Sequence, residues 1–369
     1  MASGKWLESE ELIGHTLSEL MMPAGVTGQE DAVADKIEEM LQGLPLVKKR
    51  DAMGNLTAVL NPQSRPRVMF VAHMDEIGWV VKKIDAQGFL HLYPLGGVPE
   101  NILRGQWVRV ITRKGPVLGA VVVKPPHLAA SGETLQVVDV GADSAEEARS
   151  LGIEVGDQAV VDRRFALLSN SRRAIGRCFD NRMGCALLIH LLRHLAESGC
   201  DSSVVAVFSS TEEHGMGSHL RNFAVFGSGS RGAWLPAQEE KPDLAFVVDT
   251  NTCSDLPGVP EHDVMVRMGK GPVLRFLDDL TVLRREVRDF MLGVAKEEGI
   301  PVQIGFSMAY TDASVIQMAG VPVGVIGIPL RYLHSPAQIL HLPDLLLALR
   351  WAAALARKAP EYAAQHGVK

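Results

Sequence analysis

Two periods alternate along the N-terminal part of the chain. Residues 8–22 and 29–43 carry apolar positions near a 3.6-residue repeat, and in the second run Ala32, Val33, Ile37, Met40 and Leu41 share one face. Both runs predict amphipathic helices, the second starting near Thr27 or Gln29 and stopping near Gly43. Strand-like runs follow at 46–51, 55–60 and 67–73. Between 77 and 165 the pattern changes to short Val- and Ile-rich runs split by turn signals such as Gly88, Gly96-Gly97, Gly105, Gly115-Pro116 and Gly156-Asp157. Such spacing predicts a small all-β barrel or sandwich, with one helix near 144–151 and a loop over 125–132. Beyond about residue 170 strand and helix alternate: helix 181–198, strand 203–209, strand 244–249, helix 279–299, strand 302–306, helix 312–319, strand 321–328 and helix 343–358. The economical reading is one α/β domain, begun by the first 75 residues and resumed near 170, with a β domain inserted into it.

Composition narrows the setting. The chain has 369 residues, 47% of them hydrophobic, which is ample for a large core. No apolar run approaches the ~20 residues that cross a bilayer. The N-terminal residues lack the charged-then-apolar pattern of a signal peptide, so the expectation is a cytoplasmic protein. A net charge of −6 with no long basic run argues against nucleic acid and anionic membrane as partners. Cys178, Cys185, Cys200 and Cys253 form no C-x-x-C pair and read as reduced thiols.

The candidate chemistry sits at strand ends. His73 and Asp75 close the apolar run Val68–Ala72 and, two apart, share a face of an extended strand. Asp75 can therefore hold the ring nitrogen of His73 that faces away from a metal; the plain alternative is that Asp75 and Glu76 open a turn. Asp180 precedes a helix and is either an N-cap or a carboxylate shared by two cations. Glu212 and Glu213 follow a buried strand, and adjacent side chains there diverge, so one can ligate a metal while the other acts as general base. His214 reads as a non-ligand. Asp249 ends the strand 244–248, where open α/β sheets bind ligands, and His334 follows strand 321–328. Asp312 reads as a cap or as a group behind the ligands. Oxygen and imidazole donors of this kind suit Zn, Co or Mn. One carboxylate between cations ~3.5–4 Å apart would make a two-metal hydrolase centre.

These segments resemble the glutamyl and tetrahedral aminopeptidase family. The resemblance is carried in order by Val71-Ala72-His73-Met74-Asp75-Glu76-Ile77-Gly78, Lys124-Pro125-Pro126-His127, Phe179-Asp180-Asn181-Arg182, Glu212-Glu213, Val248-Asp249-Thr250, Met268-Gly269-Lys270-Gly271-Pro272, Thr311-Asp312-Ala313 and Tyr332-Leu333-His334-Ser335. It implies a mixed-sheet, three-layer dinuclear metallopeptidase domain formed by 1–75 and 169–369, with a PDZ-like β-barrel inserted at 76–168. It implies that His73, Asp180 and Asp249 hold one metal and Asp180, Glu213 and His334 the other, with Zn or Co foremost and Mn also suited. Glu212 is then the base acting on a metal-bridging water, and Asp75 orients His73. Peptides are the implied substrates, and a homo-oligomer, dimers building a tetrahedral dodecamer, the implied assembly. The chain departs from the family in having His214-Gly215-Met216 where Val-Gly-Leu is common, and Asn181 where a second Asp often follows the bridging one. A pocket for acidic side chains would need a basic group, for which Arg331 and Lys270 are candidates, although Arg331 can equally brace its own loop.

Two rival readings stand beside this one. A glycoside hydrolase would need two carboxyls flanking a sugar bond, which leaves both histidines without a task, and 5% aromatic residues supply few stacking platforms. A non-catalytic shell subunit would not need the complete ligand set. Gly227, Gly229 and Gly232 spell G-x-G-x-x-G, but Trp234 and Pro236 follow, so the expectation is a loop rather than a dinucleotide site. No G-x-S-x-G elbow is present.

Overall fold

The computed structural model of the protein describes residues 5–99, 104–124, 127, 136–169, 172–214 and 230–366. Three helices, α1 (Lys5–Glu8), α2 (Glu10–Leu20) and α3 (Asp31–Met40), lead into strands β1 (Val47–Arg50), β2 (Leu56–Leu60) and β3 (Arg67–His73). Next come β4 (Gly78–Ile84), β5 (Leu90–Leu95), β6 (Trp107–Thr112), β7 (Gly115–Val121), β8 (Val137–Asp139), α4 (Ala145–Ser150) and β9 (Gln158–Val161). The chain continues through β10 (Ala166–Leu167), β11 (Arg173–Gly176), α5 (Phe179–Ser198), β12 (Ser203–Ser209), α6 (Arg231–Glu240), β13 (Leu244–Thr252) and β14 (Val273–Leu277). It ends with α7 (Arg285–Glu297), β15 (Gln303–Phe306), α8 (Ala313–Met318), β16 (Val323–Arg331), β17 (Gln338–His341) and α9 (Leu342–His366).

The strands sort into two bodies. Strands β4 to β9 close into a barrel in the order β4-β5-β8-β7-β6-β9. The others form an 11-stranded mixed sheet, β1-β2-β12-β3-β13-β16-β17-β11-β10, with β14 and β15 attached beside β16. Helices cover the sheet to make three layers. Each body has its own apolar centre. Phe70, Phe179, Phe208, Phe246 and Trp351 belong to the large core, whereas Trp79, Leu90, Val108, Val110 and Val138 fill the barrel. Ala24, Val26 and Val160 form a small apolar seam of their own, and the Val26 N–H donates to Gln158 Oε1 at 3.1 Å.

The middle of the sheet explains where chemistry can gather. Strands β12, β3, β13 and β16 run parallel, and β3 is buried from Val68 to His73, as expected for a strand covered on both faces. Register fixes the levels: His73 lies opposite Ser209, and the pairing of Val71 with Val247 brings Asp249 level with His73. The carboxyl ends of three parallel strands thus converge, which is where open α/β sheets bind ligands.

Several elements differ from the sequence reading. The helix expected from 279 starts at Arg285, because Asp278 Oδ1 accepts the N–H groups of Leu280 (3.0 Å) and Thr281 (2.7 Å) and holds a turn there. The loop expected after Gly232 is instead helix α6, with Pro236 inside it. Proline cannot donate to the carbonyl four residues back. Here that carbonyl, Gly232 O, accepts Asn55 Nδ2 at 2.9 Å, so the missing bond is replaced from β2's approach. Gly227, Gly229 and most of the 125–132 stretch lie outside the described residues. Among the described residues no helix is long and apolar enough to cross a membrane, and all four cysteines are free.

Candidate metal centre

The two divergent glutamates are set by one carboxylate. Asp75 Oδ1 accepts the Glu212 N–H and Oδ2 accepts the Glu213 N–H, each at 3.0 Å, while Thr27 Oγ1 donates to Oδ2 at 2.7 Å. The preceding Thr211 has φ +54°, and its N–H donates to Glu30 Oε1 at 3.0 Å. The turn after β12 is therefore gripped by two buried acids from the opposite side. Asp75 also lies against His73: Nδ1 is 3.1 Å from the Asp75 carbonyl and 3.3 Å from Oδ1. That contact turns His73 Nε2 toward the cluster.

Asp180 occupies a break at the start of α5. Cys178 is left-handed (φ +46°) and Asp180 and Asn181 are non-helical, so Asp180 does not cap the helix as an aspartate usually does. Its N–H donates to Gln338 Oε1 at 3.2 Å. Asn181 ties the break to the sheet, donating to the Val248 carbonyl at 2.7 Å and accepting the Gly184 N–H at 3.1 Å. Arg182, fully buried, donates to the Met74 carbonyl at 2.7 Å and the Leu20 carbonyl at 2.6 Å, and pairs with Glu76.

Around this frame two groups of donors form. His73, Asp180 and Asp249 make one, and Asp180, Glu213 and His334 the other; within each, the candidate ligand atoms lie within 4.8 Å of one another. The two carboxylate oxygens of Asp180 face different imidazoles. Oδ1 is 3.2 Å from His73 Nε2 and Oδ2 is 3.5 Å from His334 Nε2. Glu213 Oε2 is 3.3 Å from His334 Nε2, and Asp249 Oδ1 and Glu212 Oε2 are each 3.9 Å from His73 Nε2. His214 joins neither group; its Nδ1 accepts the Gly96 N–H at 3.4 Å. Asp312 stands behind the cluster and accepts Ser209 Oγ at 2.5 Å, with no capping bond to α8.

The electrostatics are those of anions crowded away from water. Burial, reinforced by Asp249 and Glu213, pushes Glu212 well above the usual carboxylate range despite His73. Burial likewise carries Asp249 up to about 7 and raises Glu213. Asp180 is driven down, because His334 and His73 outweigh its burial. Burial works against charging either histidine, yet the surrounding carboxylates hold both well above the ordinary value. Among the described residues Glu213 Oε1 is buried without a hydrogen-bond partner. Four buried carboxylates, two imidazoles and an orphaned oxygen fit divalent cations, which would relieve the repulsion and use the unmet lone pair.

A cavity of about 520 Å³ opens on the cluster, lined by His73, Asp180, Glu212, Glu213, Asp249 and His334 and by Tyr93, His214, Arg275 and Tyr310. Arg331 does not line it; its guanidinium pairs with Asp255 at 2.7 and 3.1 Å and braces its own loop. Lys270 is exposed and also lies outside the lining. The pocket's guanidinium is Arg275, 2% exposed, which has Asp278 Oδ2 3.2 Å from Nη2 but out of line for a hydrogen bond. Arg275 and the Asp75 grip on Glu212 and Glu213 escaped the sequence reading. Arg275 lies in a strand that was not foreseen, and main-chain acceptors leave no mark in a spacing pattern.

A mixed three-layer sheet with paired histidine–carboxylate groups at its carboxyl edge is the arrangement of a metal-dependent peptidase. Residues 54–350 match the family described as M42 glutamyl aminopeptidase. The glutamyl aminopeptidase of Lactococcus lactis is 30% identical over 81% of this chain and 84% of its own length. The lysyl aminopeptidase of Pyrococcus furiosus is 32% identical over 84% and 87%. Among solved structures, the Pyrococcus horikoshii TET1 peptidase, which can assemble into a tetrahedron or a large octahedral shell, superposes with a TM-score of 0.81 at 31% identity, covering 93% of this chain and 99% of that one. The chain belongs to the M42 glutamyl aminopeptidase family and is a peptidase.

Proposed function

We propose that the protein releases N-terminal residues from peptides at a centre of two divalent cations, with Glu212 as general base. His73, Asp180 and Asp249 would hold one cation and Asp180, Glu213 and His334 the other, with Zn or Co foremost and Mn also suited to the donors. The observation that carries this reading is Asp180, whose two oxygens each face a different imidazole. Cations held by these residues would supply Lewis acidity for the scissile carbonyl and would acidify the attacking water. Glu212 lies beside His73, with Oε2 3.9 Å from Nε2, so it can take a proton from the attacking water and return it to the leaving amine. Asp75 positions both His73 and the glutamate turn.

One positive charge among the carboxylates that line the cavity supports a preference for acidic N-terminal side chains. Arg275 is the one guanidinium or ammonium group among the described residues that line it, and its Nε and Nη2 have no hydrogen-bond partner. Two separate apolar centres support a catalytic domain of 1–75 and 169–369 interrupted by a barrel domain at 76–168. Trp107 and Leu118, 61% and 52% exposed on the barrel, suit it to contacts between subunits, and assembly from dimers into a tetrahedral dodecamer is the proposed state.

The reading is tested with Glu212→Gln on an aminoacyl-p-nitroanilide series. The variant should keep two cations per subunit and lose about 10²–10⁴-fold in kcat. Near wild-type turnover would remove Glu212 from its role, and activity that survives complete chelation would remove the metals.

A further inference from the structure

The two histidines of the centre are oriented by different parts of the chain. His73 is held by Asp75, two residues along its own segment. His334 is held by the barrel: its Nδ1 is 3.0 Å from the carbonyl of Gly97, just past the end of β5. A carbonyl only accepts, so Nδ1 carries a proton, which reserves Nε2, the nitrogen that faces Asp180 and Glu213, as the one a cation would take. Such outer contacts fix the tautomer and the ring plane of a metal-binding histidine. The turn that supplies the carbonyl is built against the site. Gly96 has φ +80°, donates its N–H to His214 Nδ1, and a Cβ there would come within 2.7 Å of Ile77. A Cβ on Gly97 would meet His334 Nδ1 at 2.9 Å and Cε1 at 3.2 Å and, chain neighbours aside, no other heavy atom of the described residues within 4 Å.

We propose that the Gly96–Gly97 turn of the barrel is a positioning element of the metal centre, fixing His334 through the Gly97 carbonyl so that tight binding of the second cation requires the barrel to be seated. The proposal rests on the reading of His334 as a ligand. It makes the two sites unequal: the His73 site is complete within the large sheet, whereas the His334 site borrows its orienting group from the other body.

Gly97→Ala is a selective probe, because among the described residues beyond its chain neighbours the added methyl reaches the His334 ring alone, and position 97 has no left-handed backbone to strain. Chelated full-length protein is titrated with Zn²⁺ by calorimetry, and retained metal is counted after dialysis. Gly97→Ala should bind one equivalent as the wild type does and the second about 10- to 100-fold more weakly, the usual cost of losing an outer contact. His334→Ala should lose the same equivalent. Gly293→Ala, a helical glycine with open space around it, should bind both normally. Two wild-type equivalents in Gly97→Ala beside a loss in His334→Ala overturns the inference and leaves the ligand reading intact. Two wild-type equivalents in His334→Ala overturns the ligand reading itself. Should Gly97→Ala not fold, nitrogen-15 histidine spectra of the zinc-loaded wild type decide: a proton retained on His334 Nδ1 is expected, and metal on that nitrogen overturns the proposal.

Discussion

Asp75→Asn is the change that most directly tests how the centre is held. The wild-type carboxylate faces donors on every side: the Glu212 N–H and His73 Nδ1 at Oδ1, and the Glu213 N–H and Thr27 Oγ1 at Oδ2. Burial acts to raise its pKa, yet His73, Thr27 and the Glu213 N–H together hold it below the ordinary value. An asparagine has the same shape but one NH2 in place of an oxygen. Whichever way the amide turns, that group points at the main-chain N–H of either Glu212 or Glu213. A buried N–H left without an acceptor costs about 1–3 kcal/mol, which is about 5- to 150-fold in an equilibrium. The turn must then shift one glutamate, either the proposed base or a proposed ligand. We expect kcat/KM for glutamyl-p-nitroanilide to fall about 10- to 100-fold, with the chelated protein about 1–3 kcal/mol less stable to urea. Wild-type kcat/KM together with wild-type zinc affinity would refute the argument that Asp75 sets the position of Glu212 and Glu213.

Three further changes bear on other parts of the molecule. Arg275→Gln should lower kcat/KM for N-terminal Glu about 10- to 100-fold relative to N-terminal Leu, since a hydrogen bond to a charged group is worth about 1.5–3 kcal/mol; an unchanged Glu-to-Leu ratio would remove Arg275 from selectivity. Burial, with Arg193 nearby, pushes His190 down to about 4. The folded chain therefore binds fewer protons than the unfolded one between about pH 6.5 and 4, and stability falls as pH drops through that window. In chelated protein His190→Gln should lose part of that acid sensitivity, up to ~3 kcal/mol; urea midpoints that track the wild type from pH 7.5 to 4.5 would contradict this. Trp351 is fully buried and donates to the Met291 carbonyl at 3.1 Å, joining α9 to α7. Trp351→Ala should cost about 3–5 kcal/mol in urea unfolding, and a loss near zero would mean that the contact is not maintained.

What could be read from the sequence followed the strength of its local signals. Strand β12 lies at 203–209 as expected, and β2 and β3 fall within a residue of expectation, because continuous apolar runs in buried strands are unambiguous. The break between barrel and sheet was legible for a similar reason: glycine-punctuated short strands read differently from strand–helix alternation. The gathering of His73, Asp180, Glu212, Glu213, Asp249 and His334 at one edge followed from their placement at strand ends and from family resemblance. Helix α6 was hidden, because Pro236 opposes a helix locally and the compensating Asn55 lies far away in the chain. Strands β11, β14 and β17 were not foreseen. With β14 unseen, Arg275 could not be set in the pocket, and Arg331 and Lys270 drew attention through charge alone.

The replaced bond in α6 has a consequence for how this chain can change. Asn55 serves three partners at once: Nδ2 donates to the Gly232 carbonyl and to Asp51 Oδ2 (2.6 Å), and Oδ1 accepts the Ser210 N–H at 2.9 Å, one residue before the turn that leads to Glu212. Gly232 is committed as well, since a Cβ there would lie 2.2 Å from the Ser210 carbonyl. Positions 55, 210, 232 and 236 are therefore expected to change together. A proline at 236 should travel through descent with a side-chain donor at 55, and a graft of helix α6 into a relative will disturb the glutamate turn unless Asn55 is carried with it.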